Sequence, residues 1–203
     1  WMTCCGAPAE WAGEVDIHAA HLEEMRRQWR ELGEPTVVLA CPNCRKMFEE
    51  YLPELPVVFL AEVMEEWGVE KDAALEPDNA EKGEMEAGSA QQAQSYALFD
   101  PCASRYYPEL QESVRHLADA AGITWENLPY DGKKARCCGY GGHIGIASPS
   151  HTSYMTTSRA KEEELPYVTY CVNCRESFAG QGKEAVHILD LLFGLNGAGR
   201  PAA

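Results

Sequence analysis

The hydrophobic pattern along the chain predicts helices that alternate with short buried strands. Over residues 17–32, large side chains recur every three or four positions, which is the stripe of an amphipathic helix. The positions of this stripe are His18, Leu22, Met25, Trp29 and Leu32. A second helix is predicted over 108–122, where it ends at a glycine. Apolar runs at 35–40, 96–99 and 165–170 predict buried strands.

Strands that alternate with helices favour an α/β fold with a parallel sheet. In such folds the functional residues lie at the carboxyl ends of the strands. The stretch 70–95 is polar, acidic and without apolar periodicity, so it predicts a linker. We therefore expect a first unit over 1–69, the linker over 70–95 and a second unit over 96–203.

The two predicted units carry the same sequence motifs in the same order. When Cys41 is aligned with Cys171, "CPNCRKMF" falls on "CVNCRESF". A small change of offset places "CCG" at 4–6 on "CCG" at 137–139. Each unit thus contains C-C-G, a helix, a strand and then C-x-N-C-R-x-x-F. We expect two pseudo-repeated units, each with a small, mostly parallel sheet flanked by helices.

The second unit has one more cysteine, Cys102, which precedes its C-C-G pair. The counterpart in the first unit would fall before Trp1. A tryptophan directly before Met2 is not how a translated chain begins, so we expect a fragment that lacks the start of the first unit. The alternative is a true start at Met2, with a first unit that has only four cysteines.

Charge and cysteine usage narrow the class of protein. Acidic residues outnumber basic ones by 32 to 17, which argues against a nucleic-acid partner. No apolar run approaches the roughly 20 residues of a membrane helix, and no leader peptide is recognisable. The nine cysteines, an odd number, are a poor disulfide framework. We expect a cytoplasmic protein whose clustered thiols bind metal or take part in oxidation–reduction reactions. No nucleotide-binding glycine motif occurs.

The spacing of the cysteines indicates metal ligation. C-x-x-C at a strand-to-helix turn is ambiguous between zinc, iron–sulfur and a thioredoxin-like dithiol. In C-C-G, successive side chains point to opposite sides, which suits two different metal atoms. Gly6 and Gly139 would let main-chain N–H groups approach sulfide closely. The complete unit offers five thiols, whereas a structural zinc or a cubane cluster uses four. Either one thiol is spare, or the cluster is more open than a cubane.

The pattern Cys102…Cys137-Cys138-Gly139…Cys171-x-x-Cys174 resembles the CCG-type cysteine-rich domain. That family includes the CCG-containing subunit of heterodisulfide reductase and related iron–sulfur oxidoreductases, and the resemblance covers nearly all of the chain outside the linker. It implies a non-cubane [4Fe-4S] cluster in each complete repeat. The ligands of the second cluster would be Cys102, Cys137, Cys138, Cys171 and Cys174. Those of the first would be Cys4, Cys5, Cys41 and Cys44, where zinc is an alternative.

The resemblance also implies an enzyme component that reduces a small-molecule disulfide, or oxidises a dithiol, between two clusters. Electrons would come from flavin-bearing and ferredoxin-type subunits or domains. Two alternatives stay open. The first is an electron-transfer module of a dehydrogenase complex that relays electrons towards quinone, and the second is a non-catalytic domain stapled by zinc. No catalytic residue is assigned.

Histidines and arginines near the motifs are weaker candidates. His21 and His151 occupy equivalent repeat positions and could donate a proton, although packed or surface roles are the simpler interpretation. His143, in the glycine-rich loop, is closer to the predicted cluster. The remaining histidines, His18, His116 and His187, are interpreted as ordinary helix or structural positions. Arg45 and Arg175 either offset thiolate charge or lie solvated on the surface.

Overall fold

A computed structural model describes residues 3–68 and 94–193 of the 203-residue chain. Most of the predicted linker, 70–93, lies outside the described residues, and a strand already begins at Ser95. The helices are α1 (Ala7–Ala12), α2 (Val15–Glu31), α3 (Pro42–Tyr51), α4 (Leu60–Trp67), α5 (Pro108–Ala120), α6 (Ile144–Ala147), α7 (Pro149–Ala160), α8 (Val172–Ala179) and α9 (Ile188–Leu192). The strands are β1 (Val37–Leu39), β2 (Val57–Phe59), β3 (Ser95–Phe99), β4 (Thr124–Asn127), β5 (Tyr167–Thr169) and β6 (Ala185–His187). Two 3₁₀ turns, Cys102–Ser104 and Gly132–Lys134, complete the described elements.

The strands form two separate parallel sheets. In the first unit β1 pairs with β2, and Val37 lies opposite Val57. In the second unit the strand order is β4-β3-β5-β6, and every neighbouring pair is parallel. Helices connect the strands, as parallel pairing requires. The predicted α/β class, with a small parallel sheet in each of two units, is confirmed.

The repeat is visible in the structure as well as in the sequence. The succession β1-α3-β2-α4 of the first unit matches β5-α8-β6-α9 of the second. Cys41 and Cys171 each precede a helix in extended backbone, with φ, ψ of −126°, 127° and −135°, 117°. No described residues of the first unit correspond to β3 and β4. Val38 of β1 is therefore 50% exposed, whereas the equivalent Val168 of β5 is 1% exposed.

The two units share one hydrophobic core, because α4 of the first packs along α5 of the second. The Phe59 ring meets the Tyr170 ring edge-on across this boundary, with centroids 6.4 Å apart. The predicted stripe of α2 is buried at His18, Leu22, Met25 and Trp29. The last position of the stripe, Leu32, is instead 54% exposed, because the helix ends at Glu31 and the chain turns away from the core.

An ion pair that occurs in both units, here called the arginine clamp, fixes each C-x-N-C-R turn. Arg45 Nη1 lies 3.0 Å from Glu62 Oε2, and Arg175 Nη1 lies 3.0 Å from Asp190 Oδ2. Each acid is the third residue of the next helix and also accepts the backbone N–H that precedes that helix, at 2.7 Å from Phe59 and 3.3 Å from His187. The interpretation of Arg45 and Arg175 as solvated surface residues is wrong, since both are mostly covered and paired with carboxylates. Their role in offsetting thiolate charge stays a prediction.

Candidate metal centre

The five thiols of the second unit come together from three chain segments. Cys102 lies in the 3₁₀ turn directly after β3, and the C-C-G pair follows the turn at Gly132–Lys134. Cys171 precedes α8, and Cys174 lies in the first turn of that helix. The Sγ atoms of Cys174 and Cys138 are 3.2 Å apart. Cys102 contacts Cys137, which contacts Cys138 in turn. The sequence-predicted set is therefore assembled at the carboxyl ends of β3 and β5.

The first unit assembles three of its four thiols. The Cys44 thiol lies beside Cys5 and Cys41 and lowers the pKa of both. Cys4 is exposed, and none of these sulfur contacts involves it. Its ligand role stays a prediction. Cys41 and Cys44 occupy the start of α3, where the positive end of the helix favours thiolates.

The thiols of the two units come close at the unit boundary, where the neighbouring Cys171 thiol lowers the pKa of Cys41. Eight cysteines thus form a continuous row, here called the thiol row. In order of contact it runs Cys5, Cys44, Cys41, Cys171, Cys174, Cys138, Cys137, Cys102. Within residues 3–68 and 94–193, no three Cys, His, Asp or Glu side chains converge around one point as ligands of a single ion would. Thiolates in this number are the donors that iron–sulfur clusters and zinc select.

Crowding of the thiols separates their pKa values. Hydrogen bonds from Cys102 and Cys138 lower the pKa of Cys137 to about 2. The same contact raises the pKa of Cys102, which acts as the donor and is further disfavoured as a thiolate by burial. In the first unit, hydrogen bonds from Cys171 and Cys44 lower the pKa of Cys41 to about 2. Each unit therefore concentrates negative charge on one sulfur, and the neighbouring S–H groups would release protons when metal binds.

The C-C-G glycines do two things at once. The Gly139 N–H donates to Cys137 Sγ at 3.3 Å, whereas the predicted approach of this N–H to sulfide stays a prediction. Gly139 also has a φ of +102° and presses on α7, where a Cβ would lie 2.9 Å from Thr156 Oγ1. Gly6, with a φ of +84°, presses on α2 in the same way. Glycine is required at both positions by backbone angle and by space.

Two residues that cover these glycines are not identified by the sequence pattern. Thr156 is buried and donates from Oγ1 to the Cys138 carbonyl at 2.6 Å. His18 has the periodicity of an ordinary helix position, yet it is 8% exposed, and its Cδ2 atom would lie 3.0 Å from a Cβ at Gly6. Its Nε2 atom has no hydrogen-bond partner among the described residues. In the sequence, the only signal for these two contacts is the short distance between each C-C-G motif and the helix that follows it.

The sequence equivalence of His21 and His151 is not carried into their contacts. His21 Nε2 donates to the Cys4 carbonyl at 2.5 Å. His151 is exposed and stacks on Tyr154, with ring centroids 6.5 Å apart. Neither contact joins the thiol row.

The other histidines have separate surroundings. His143 has a φ of +52° and meets Trp11 edge-on at 5.7 Å. His116 Nδ1 lies 2.6 Å from Glu65 Oε1, which links α5 to α4. His187 accepts the Leu189 N–H at Nδ1 and so caps α9, consistent with its structural interpretation.

A cleft of about 750 Å³ lies between the two units, next to one end of the thiol row. Cys102 and Cys137 line it from the second unit. Its other lining residues are Trp11, Asn43, Lys46, Met47, Glu49, Glu50, Ala103, Arg105, Tyr106, Tyr107, Gly141 and Gly142. Arg105 donates from both Nε and Nη2 to the Ala135 carbonyl and pairs with no carboxylate of the described residues. The exposed Lys46 likewise makes no ion pair with a described residue.

This architecture defines a cysteine-rich α/β protein of two repeated units whose thiols share one face. The family model of the CCG cysteine-rich domain matches residues 1–49 and 96–179, two segments that fall on the two units. The chain belongs to this family of iron–sulfur-type domains, which occur in oxidoreductase-related proteins. The match supports metal binding in general. No curated protein matches the chain. None of the described helices is both long and apolar enough to cross a bilayer.

Proposed function

We propose that this protein is a component of an iron–sulfur oxidoreductase that resembles the CCG-containing subunit of heterodisulfide reductase and reduces a small-molecule disulfide, or oxidises the dithiol. The observation that carries the proposal is the cleft, since Cys102 and Cys137 of the thiol row open into a space bounded by both units. A volume of about 750 Å³ falls in the usual range for a small-molecule site. A purely structural zinc site would need no such opening, because structural sites are closed.

The donor set fits iron–sulfur clusters. The five thiols of the second unit would hold one non-cubane [4Fe-4S] cluster, and Cys4, Cys5, Cys41 and Cys44 would hold the other or, alternatively, zinc. When bound, such clusters supply electrons singly and offer iron sites to sulfur. Cleavage of a disulfide consumes two electrons and two protons and gives two thiols. The balance therefore needs an external donor, for which we propose flavin-bearing and ferredoxin-type subunits or domains.

The side chains of the cleft can bind and orient the disulfide. Trp11, Tyr106 and Tyr107 provide aromatic walls that exclude water from a bound substrate. Arg105 and Lys46, one from each unit, carry positive charges that stabilise the negative charge developing on sulfur as the S–S bond breaks. Because neither charge is neutralised by a described carboxylate, both are available to the substrate.

The test begins with iron, acid-labile sulfide and zinc per chain in protein purified without oxygen. We expect about four iron and four sulfide per complete unit, followed by a change in the EPR spectrum when a disulfide is titrated in. Arg105→Gln should weaken disulfide binding about tenfold, the loss expected for about 1.4 kcal/mol of a charged contact. Lys161→Gln, an exposed lysine at the end of α7, is the matched control and should change nothing.

Other outcomes would contradict the proposal. Zinc with little iron under strict anaerobiosis would leave a zinc-stapled, non-catalytic domain. The EPR spectrum of the clusters could instead stay unchanged when a disulfide is added, while a quinone oxidises them. This result would favour the electron-relay module of a dehydrogenase.

A further inference from the structure

A single buried carboxylate connects the segments that carry the five thiols of the second unit. Asp100 closes β3, and its side chain has 0% exposure. Arg115 donates to both of its oxygens, from Nη2 to Oδ2 at 2.7 Å and from Nη1 to Oδ1 at 3.2 Å. The Tyr170 hydroxyl donates to Oδ1 at 2.7 Å, and the Gly132 N–H donates to Oδ2 at 2.8 Å. The carboxylate thus accepts four hydrogen bonds inside the protein.

Asp100 and two of its partners, Tyr170 and Gly132, each stand beside a different thiol-bearing segment. Asp100 itself stands two residues before Cys102. Tyr170 stands directly before Cys171, and Gly132 begins the 3₁₀ turn that leads to Cys137. The hydrogen bonds of one side chain therefore tie together all three thiol-bearing segments.

The contacts around Tyr170 make the arrangement stiff. Its hydroxyl lies 2.7 Å from Ser104 Oγ, which also donates to the Pro101 carbonyl at 2.8 Å. Ser104 is the last residue of the turn that contains Cys102. A buried carboxylate is tolerated only while its hydrogen bonds are made, so displacement of any one segment leaves an unsatisfied buried charge. The network consequently resists movement of the thiols relative to one another.

The first unit has no equivalent of this network among its described residues. The repeat places Ala40 where the second unit has Tyr170, and β3, which ends at Asp100, has no counterpart there. Cys4 is exposed. Among the described residues, no shared buried carboxylate ties the first-unit thiols together.

We propose that Asp100 is the positioning residue that holds the five second-unit thiols in place relative to one another, so that this unit binds its metal more tightly. This inference rests on the metal binding of the proposed function but not on disulfide chemistry. Residues that orient metal ligands without touching the metal typically change affinity 10- to 100-fold when they are replaced.

The experiment compares the full chain with Asp100→Asn and with Asp119→Asn. Asp119 is the matched control, because it lies on α5 and accepts a hydrogen bond from Trp125 at 2.8 Å but is exposed and remote from the thiols. Each protein is reconstituted anaerobically with limiting Fe²⁺ and sulfide, and iron loss to a chelator is then followed. Paired Cys→Ser changes at 4 and 5, or at 137 and 138, assign the signal to one unit.

Asp100→Asn should lose second-unit iron about 10- to 100-fold faster, with an altered EPR signal, while first-unit iron loss is unchanged. In the metal-free protein, mass spectrometry should show faster alkylation of the second-unit thiols alone. Should Asp100→Asn not fold, Tyr170→Phe carries the same test, because it removes the hydroxyl contacts with Asp100 and Ser104 and keeps the Arg115 pair.

Distinct results overturn distinct claims. Equal iron loss and equal alkylation in wild type and in the folded variants would overturn the positioning role and leave the proposed function intact. A wild-type chain that takes up no iron would overturn the proposed function, and this inference with it.

Discussion

The arginine clamp gives a prediction whose size can be worked out from the structure. In Asp190→Ala, Arg175 loses its partner at 3.0 Å, and the His187 N–H loses its acceptor at 3.3 Å. We expect the free energy of unfolding to fall, because two contacts at the start of α9 are removed by one substitution. Glu176→Ala is the control, since Glu176 also accepts from Arg175, at 2.7 Å, but caps no helix.

The two lost contacts differ in size. The Arg175 and Asp190 side chains are 20% and 31% exposed, so the ion pair is partly solvated and contributes about 0.2–1 kcal/mol. The helix-start contact contributes about 1 kcal/mol. A loss of about 1–2 kcal/mol follows. It stays below the roughly 3–5 kcal/mol of a broken buried pair, because Arg175 keeps Glu176 and some contact with water.

The assay is urea unfolding of metal-free, reduced protein, supported by thermal melts. For a chain of this length, about 1–2 kcal/mol lowers Tm by roughly 2–8 °C. Glu176→Ala should stay within about 0.5 kcal/mol of wild type. The same contrast is expected in the first unit between Glu62→Ala and Glu49→Ala, since Glu49 pairs with Arg45 at 2.7 Å without capping a helix. Equal losses from the capping and non-capping acids would refute the reasoning.

Two further predictions concern other parts of the chain. Gly139→Ala should lower the free energy of unfolding, measured by chemical denaturation, more than Gly142→Ala does. Both substitutions place a side chain on left-handed backbone, at about 1–2 kcal/mol, but only the first puts a Cβ 2.9 Å from Thr156. Similar losses would contradict the close approach. The hydrogen bond to Glu65 raises the pKa of His116, so this contact stabilises the fold fully below the unfolded pKa of about 6.5. Its contribution is lost as pH rises through the higher folded value. The stability difference between wild type and His116→Gln should therefore shrink on going to alkaline pH, and a constant difference would disprove the linkage.

Much of the fold was predictable because the same local signals occur twice. Alternating helices and short apolar runs indicated parallel α/β units, and both sheets are parallel. The position of Cys41 and Cys171 at strand ends followed from the motif that they share. These features depend on residues that are close in the sequence, where periodicity and motif spacing are informative.

The contacts that join distant segments were not predictable from spacing. The close approach of Cys41 and Cys171 depends on how α4 packs along α5, which no local pattern encodes. The four hydrogen bonds to Asp100 come from residues up to 70 positions away. The burial of His18 against Gly6 also looked ordinary in the helical stripe, because a core position and a site-facing position share the same periodicity.

The arginine clamp bears on how the protein would respond to oxygen damage. It stabilises each C-x-N-C-R turn through arginine, carboxylate and backbone N–H, and no sulfur takes part. The scaffold and the ligands are thus maintained by separate sets of atoms. Loss of the proposed cluster to oxygen would leave this turn in place, and repair would require new iron and sulfide but not a second round of folding.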